Sequence, residues 1–487
     1  MLFNSLSFAL FFPVVFIGHY LVPHRFRNIL LLLASCYFYM MFVPKYILIL
    51  LALITVDFFL AKEIDKREGN ARKVLLGISI TANLGTLIFF RYFNFLNENI
   101  ASLAHIIHWN YSPLLLSIAL PLGLSFHVFQ SLSYVIEVYK KKFVSEKDYL
   151  TYALYVMFFP QLVAGPIERP QHLLPQLHAT HAFDASQARK GLERMLWGFF
   201  KKLVIADQLA KIINPLYAHL PQQGSLLIII AILFSYQLYC DFSGYSDIAI
   251  GSAMMLGFTL TENFNRPYAA RSIADFWRRW HISLSSWLKD YLYYPLALSW
   301  GKVSKVRLYI SLFVTFVLIG LWHGANWTFA IFGAMQGVYL IVESITEKMR
   351  RKVHTTLHLE KIQAVHHFMQ TLVVFALVSI SFIFFRSETV DKAWWFITHM
   401  FSSFDFGSTT SQIVPALTLH TGNIVLCVVL VSICGMEIFQ YFQEKKKTFY
   451  IFDTMPTSVR YGWYYSLTGL ILLFGYFGAQ SFIYFQF

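Results

Sequence analysis

The chain has 487 residues, 57% of them hydrophobic and only 13% charged. That balance excludes a soluble globular protein, because apolar runs near the ~20 residues needed to cross a bilayer recur along the whole length. The net charge of +13 does not mark a nucleic-acid binder, since Lys and Arg gather in short clusters at 62–73, 140–142, 302–307, 348–352 and 445–447.

Between those clusters lie stretches without Lys or Arg, such as 97–113 and 214–225. This alternation is the positive-inside pattern of a polytopic membrane protein. It assigns the basic loops to the cytoplasm and both termini to the extracytoplasmic side. The apolar start from Met1, without a basic leader or a small-residue cleavage site, reads as a retained first span rather than a signal peptide.

In chain order, spans are predicted over roughly 7–22, a pair within 29–61, then 74–93, 113–139 and 191–213, with apolar segments at 226–240 and 243–258. They continue at 308–322, 325–345, 367–385, 422–443 and 461–481. The prediction is an all-α polytopic membrane protein of about 11–13 spans, with residues 1–487 forming one membrane domain. Its core motifs lie in 150–345 and further spans in 367–487. Between 226 and 275 hydropathy and charge conflict, which predicts short, broken or re-entrant helices packed in protein or lining a cavity. Segment 160–178 carries too much Pro for a span and reads as a connector. Residues 387–421 read as an exterior loop with an amphipathic piece. The four cysteines, Cys36, Cys240, Cys427 and Cys434, have no CxxC spacing and suit core packing; no metal site is indicated.

Two histidines stand out. His323 lies between the apolar segments of VTFVLIGLWHGANWTFAIFGAMQGVYLIVE (314–343). The run from Leu308 to Trp322 rises only about 22 Å as a helix, short of the ~30 Å hydrocarbon core, so His323 falls inside the membrane. An ionisable group there points to function, although a core histidine bonded to a carbonyl is the open alternative. His281 lies in ADFWRRWHISLSSWLKDYLYYPL (274–296), whose Trp277, Trp280, Leu284 and Trp287 oppose Arg278, Arg279, Lys289 and Asp290. That pattern predicts a helix at the cytoplasmic interface. Its cations either anchor the helix or bind an anionic donor from the cytosol. Asp241 and Asp247, in CDFSGYSD, either hydrogen-bond a histidine or cap a short helix beginning near Ser243, and capping is the favoured reading.

The stretches FFPQLVAGPIERP (158–170), QLYCDFSGYSDIAIGSAMMLGF (237–258), NFNRPYAARSIADFWRRWHISLSSWLKDYLYYPL (263–296) and GLWHGANW (320–327) resemble the membrane-bound O-acyltransferase family. The similar branch is that of alginate O-acetylase and peptidoglycan O-acetyltransferase. The resemblance implies a ring of transmembrane helices with short re-entrant central helices, and a cytoplasmic cavity and an outer funnel meeting at the catalytic histidine. That histidine would be His323, with His281 at the second motif position. The implied donor is a thioester of coenzyme A or of a carrier protein; it is read as acetyl-CoA, with Arg278, Arg279, Lys289 and Trp287 as the candidate residues to bind it. The implied location is the bacterial inner membrane. His127, in SFHVFQSLSYVIEVY, departs from the family's aromatic and is given no role.

Chemically, a hydroxyl acceptor needs a base to attack a thioester near neutral pH, and a neutral imidazole is suited to that work. His281 would orient the donor or steady the oxyanion. The final six residues, FIYFQF (482–487), resemble the terminal tyrosine motif of the small peptide that works beside the D-alanylation acyltransferase. By that likeness Tyr484 takes the acyl group on its phenolic oxygen; the plain alternative is an interfacial aromatic. An extracytoplasmic serine-type O-acetyltransferase would then relay acetyl to an exported glycan, an alginate-like exopolysaccharide or peptidoglycan. A transporter or flippase is the rival class, and a protein acyltransferase of the same family a third reading. The transporter is disfavoured because no matching halves are visible.

Overall fold

The computed structural model describes residues 1–116, 121, 123–163, 165–299, 304–402, 409–478, 480 and 482–483. Among these residues the chain is helical without strands. Among the described residues, six helices are long and apolar enough to cross a membrane: Asn70–Ile106 (through a π turn at Ile88–Tyr92), Gly224–Met255, Lys305–His323, Trp327–Ile345, Leu359–Arg386 and Asn423–Lys446. The remaining predicted spans appear as shorter or interrupted helices. The first is Leu6–Leu21, and the predicted 191–213 span is Ala185–Phe199 and Asp207–Ala218 joined by a π segment, Phe200–Ala206. The connector at 160–178 ends in the short helix Pro170–His178, and the exterior segment contains helices Val390–His399 and Thr409–Thr418.

The predicted break near Ser243 does not occur, because Gly224–Met255 is one 32-residue helix. The Ser, Gly and Asp residues that suggested a break serve close packing and ion pairing. A Cβ on Gly244 would sit 2.9 Å from the Gly198 carbonyl, and one on Gly251 would sit 2.5 Å from that of Gly191. Neither carboxylate caps a helix start: Asp241 binds Lys202 at 2.6 Å and Asp247 binds Arg194 at 3.0 Å. The broken helices lie further on. The stretch 274–296 is not one amphipathic helix but Ile273–Arg279, Ile282–Leu288, a π turn at Lys289–Tyr293 and Tyr294–Leu298.

The chain forms two compact units. The first comprises Met1–Met195 and Ser246–Thr261. Its interior holds Asp57, whose carboxylate accepts from Ser79 Oγ at 2.5 Å, from Asn83 Nδ2 at 2.8 Å and from Ser131 Oγ. Three neutral donors thus link helices Ile47–Lys66, Asn70–Leu87 and Leu124–Tyr139, as a buried carboxylate without a cation requires. The connector is fixed by Glu168 of GPIERP, which is fully buried. It accepts from the Thr261 N–H at 2.5 Å and contacts His172 Nδ1 at 2.5 Å.

The second unit comprises Leu196–Tyr245 and Glu262–Phe487. Its tightest helix pair is Lys305–His323 against Trp327–Ile345. A Cβ on Gly320 would lie 2.1 Å from the Phe329 carbonyl, and one on Gly333 would lie 2.1 Å from that of Phe316. Small residues at such crossings let backbones touch where lipid supplies no hydrophobic drive. Both histidines singled out above belong to this unit.

Candidate active site

His323 is the last residue of helix Lys305–His323, which Ser304 caps by accepting from the Arg307 N–H at 3.3 Å. The next helix starts at Trp327, where Asn326 Oδ1 accepts from the Thr328 N–H at 3.0 Å. Only the turn Gly324–Asn326 separates the two, and a Cβ on Gly324 would meet the Phe329 ring at 2.1 Å. The HGAN sequence therefore forms a tight corner with the imidazole at its start. The His323 ring is 4% exposed, with the rings of Trp322, Phe385 and Phe332 centred 4.8, 5.2 and 6.0 Å away.

His281 sits at the junction between Ile273–Arg279 and Ile282–Leu288, with φ of +44°. A left-handed non-glycine residue is uncommon and is held only where its surroundings fix it. Asn263 supplies that hold: its carbonyl accepts from the Ile282 N–H at 3.0 Å, and its Oδ1 accepts from Ser283 Oγ at 3.0 Å. The Asn265 N–H adds a bond to the Arg279 carbonyl at 2.9 Å. The imidazole is fully buried, 4.6 Å from the Phe242 ring and 6.1 Å from that of Trp322. Trp322 thus stands against both histidines.

The last described residues reach the same rings. Phe482 and Ile483 are buried, and the Phe482 ring lies 4.7 Å from Tyr245 and 5.5 Å from Phe242. The Ile483 N–H donates to Asp241 Oδ2 at 2.7 Å. Asp241 in turn binds Lys202, whose ammonium also meets Asp207 at 2.8 Å. Tyr484, the next residue, lies outside the described residues.

The four residues expected to hold the donor are not gathered into one cluster of free cations. Arg279 is engaged by Glu444 at 2.7 Å and Asp275 at 3.0 Å. Arg278 is exposed, 3.6 Å from Asp275. The Lys289 ammonium lies over the Tyr294 ring at 5.7 Å, and Trp287 is buried against Tyr291 at 5.0 Å. His127 is buried within helix Leu124–Tyr139 of the first unit.

Sequence reasoning missed Lys202, Asp207 and Asn263. The signal for the lysine was present: two adjacent lysines, Lys201 and Lys202, inside a predicted span demand buried partners.

A family model described as the membrane-bound O-acyltransferase family matches residues 75–385, which include both histidines. The chain belongs to the membrane-bound O-acyltransferase family. A Pseudomonas aeruginosa protein named probable alginate O-acetylase AlgI is 36% identical over 460 residues, covering 92% of this chain and 84% of its own. Its namesake from Azotobacter vinelandii is 35% identical over 446 residues, covering 90% and 86%. A Helicobacter pylori peptidoglycan O-acetyltransferase is 35% identical over 430 residues, covering 81% and 78%. The acyltransferase is thus a multi-pass membrane enzyme, which sets the transporter reading aside.

Proposed function

We propose that the chain is an O-acetyltransferase that takes acetyl from cytosolic acetyl-CoA and passes it across the inner membrane for O-acetylation of an exported glycan. The observation that carries this reading is the succession of rings from the tail to the corner histidine: Phe482, Phe242, His281, Trp322 and His323, each centred within 6.1 Å of the next. It links Phe482, two residues before Tyr484, through the Phe242 ring to His281 and through Trp322 to His323, the two histidines that the family resemblance marks.

His323 acts as general base. Its imidazole takes the phenolic proton of Tyr484 as the oxygen attacks the thioester carbonyl; the carbon–sulfur bond breaks, and the thiolate leaves with the proton. His281, locked in its strained turn, orients the donor. Arg278 and Lys289, with exposed cationic heads, face the donor's phosphates, while Arg279 braces the scaffold through Glu444. A serine-type extracytoplasmic O-acetyltransferase then takes acetyl from the phenol and delivers it to the glycan. The names of the relatives favour alginate-like exopolysaccharide or peptidoglycan as that glycan, over a protein acceptor. Both termini face outward in this scheme, and residues 1–487 act as one catalytic domain.

The test is to incubate the purified full chain with isotope-labelled acetyl-CoA and sequence its C-terminal peptide by mass spectrometry. Label on Tyr484, absent from Tyr484→Phe, is the expected result. Label on another residue, with normal glycan acetylation by Tyr484→Phe in cells, would overturn the relay through Tyr484.

A further inference from the structure

The helix that follows the His323 corner, Trp327–Ile345, carries a glutamine on its buried face that the mechanism above does not use. Gln336 is 0% exposed, and both ends of its amide are engaged. Its Oε1 accepts from the Trp277 Nε1–H at 3.1 Å, and its Nε2 donates to Ser381 Oγ at 2.6 Å. Ser381 sends its own proton to the Val378 carbonyl at 2.6 Å, which leaves its oxygen to accept from the amide. One side chain thus joins three helices, Ile273–Arg279, Trp327–Ile345 and Gln363–Arg386.

Each joined helix bears on one of the two histidines. Trp277 lies one turn before the bend at His281, and its ring packs on Phe316 of helix Lys305–His323 at 5.0 Å. Ser381 stands one turn before Phe385 on the same face of its helix, and the Phe385 ring lies 5.2 Å from that of His323. Helix Trp327–Ile345 adds a second tie, Glu343 Oε2 accepting from the Ile273 N–H at 2.6 Å. An apolar side chain of like size would fill the position of Gln336 without the cost of burying an amide, a cost met only when both ends are bonded. Interhelical hydrogen bonds of this kind add little to the stability of membrane proteins. What they contribute is orientation: a satisfied donor–acceptor pair fixes one arrangement of the helices, where an apolar contact admits several.

We infer that Gln336 is a positioning residue for acyl transfer. Its amide holds the segment leading into His281 against the helices that wall His323, and so sets how the two imidazoles stand about Trp322. This inference rests on the proposed function and deepens it, since it assigns what keeps that reading's two histidines in register. A misplacement of about 1 Å at reacting groups costs about 10²-fold in rate, so loss of the tie should fall on kcat rather than on binding of the donor.

The test is steady-state acetyl-CoA cleavage by the purified full chain in detergent, with melting measured on each variant. Gln336→Leu fills the same space without the amide, and Trp277→Phe keeps an aromatic ring without the N–H. Each should lower kcat about tenfold or more, with KM for acetyl-CoA within about twofold and melting within a few degrees. Because both cut one link, the double variant should be no slower than the slower single variant. Trp277→Phe supplies the kcat reading by itself where Gln336→Leu does not fold. Unchanged kcat, effects that multiply in the double variant, a rise in KM in place of the fall in kcat, or a lost rate matched by lost folded protein would overturn the inference. His323→Ala is measured in parallel. Any of those results with His323→Ala inactive overturns this inference alone, whereas cleavage by His323→Ala at the unaltered rate removes the proposed function instead.

Discussion

The backbone N–H of Ile483 donates to Asp241 Oδ2 at 2.7 Å, while the other oxygen of that carboxylate holds the Lys202 ammonium at 2.6 Å. One buried carboxylate thus ties the end of the described chain to the interior of helix Gly224–Met255. Removing it strands a buried ammonium with one remaining partner.

Asp241→Ala should therefore destabilise the second unit by roughly 3–5 kcal/mol, as expected when one member of a buried ion group is lost. It should also speed amide exchange over residues 475–483. Thermal unfolding in detergent and hydrogen–deuterium exchange measure the two effects. Unchanged melting together with unchanged exchange in the tail would contradict the anchoring role.

Gly333→Ala should loosen the corner that presents His323, because the added methyl carbon would lie 2.1 Å from the Phe316 carbonyl. Overpacking of this kind costs about 1–3 kcal/mol, and acyl transfer should fall with it. Gly435→Ala is the control, since that position opens on free space within helix Asn423–Lys446. A lowered melting temperature is expected for the first variant only.

A modest pH dependence should arise at the connector. The Glu168 carboxylate bonded to His172 raises that imidazole above its ordinary 6.5. The bond's contribution is therefore full below about 6.5, the unfolded value, and is lost as pH rises through the higher folded value. Because the His172 side chain is 42% exposed, solvent screening limits the effect to within about 1 kcal/mol. His172→Gln should flatten the stability profile between neutral and mildly alkaline pH, as followed by melting at several pH values. An unchanged profile would remove this pair from the pH response.

Much of the fold was legible because long apolar runs leave a chain few choices in lipid. The helix pair around GLWHGANW appeared within three residues of its predicted bounds, and its histidine falls at the corner. What escaped was what hydropathy does not record. Asp241, Ser243, Gly244 and Asp247 have the composition of a helix break, yet they lie inside a continuous helix because Lys202 and Arg194 meet the carboxylates and another helix needs the missing Cβ. The bend at His281 was equally hidden. It depends on Asn263, distant enough in sequence that no local pattern links them. The cations near His281 looked alike in sequence, and only the position of Glu444 separates the engaged Arg279 from the exposed Arg278.

The central claim is that the His323 imidazole is the base for acyl transfer. Rates of acetyl transfer from acetyl-CoA by His323→Ala and by the unaltered chain, at matched protein concentration and with melting temperatures compared, test it most directly. A fall of 10²-fold or more with melting preserved is predicted. Transfer within a few-fold of the unaltered rate would contradict it.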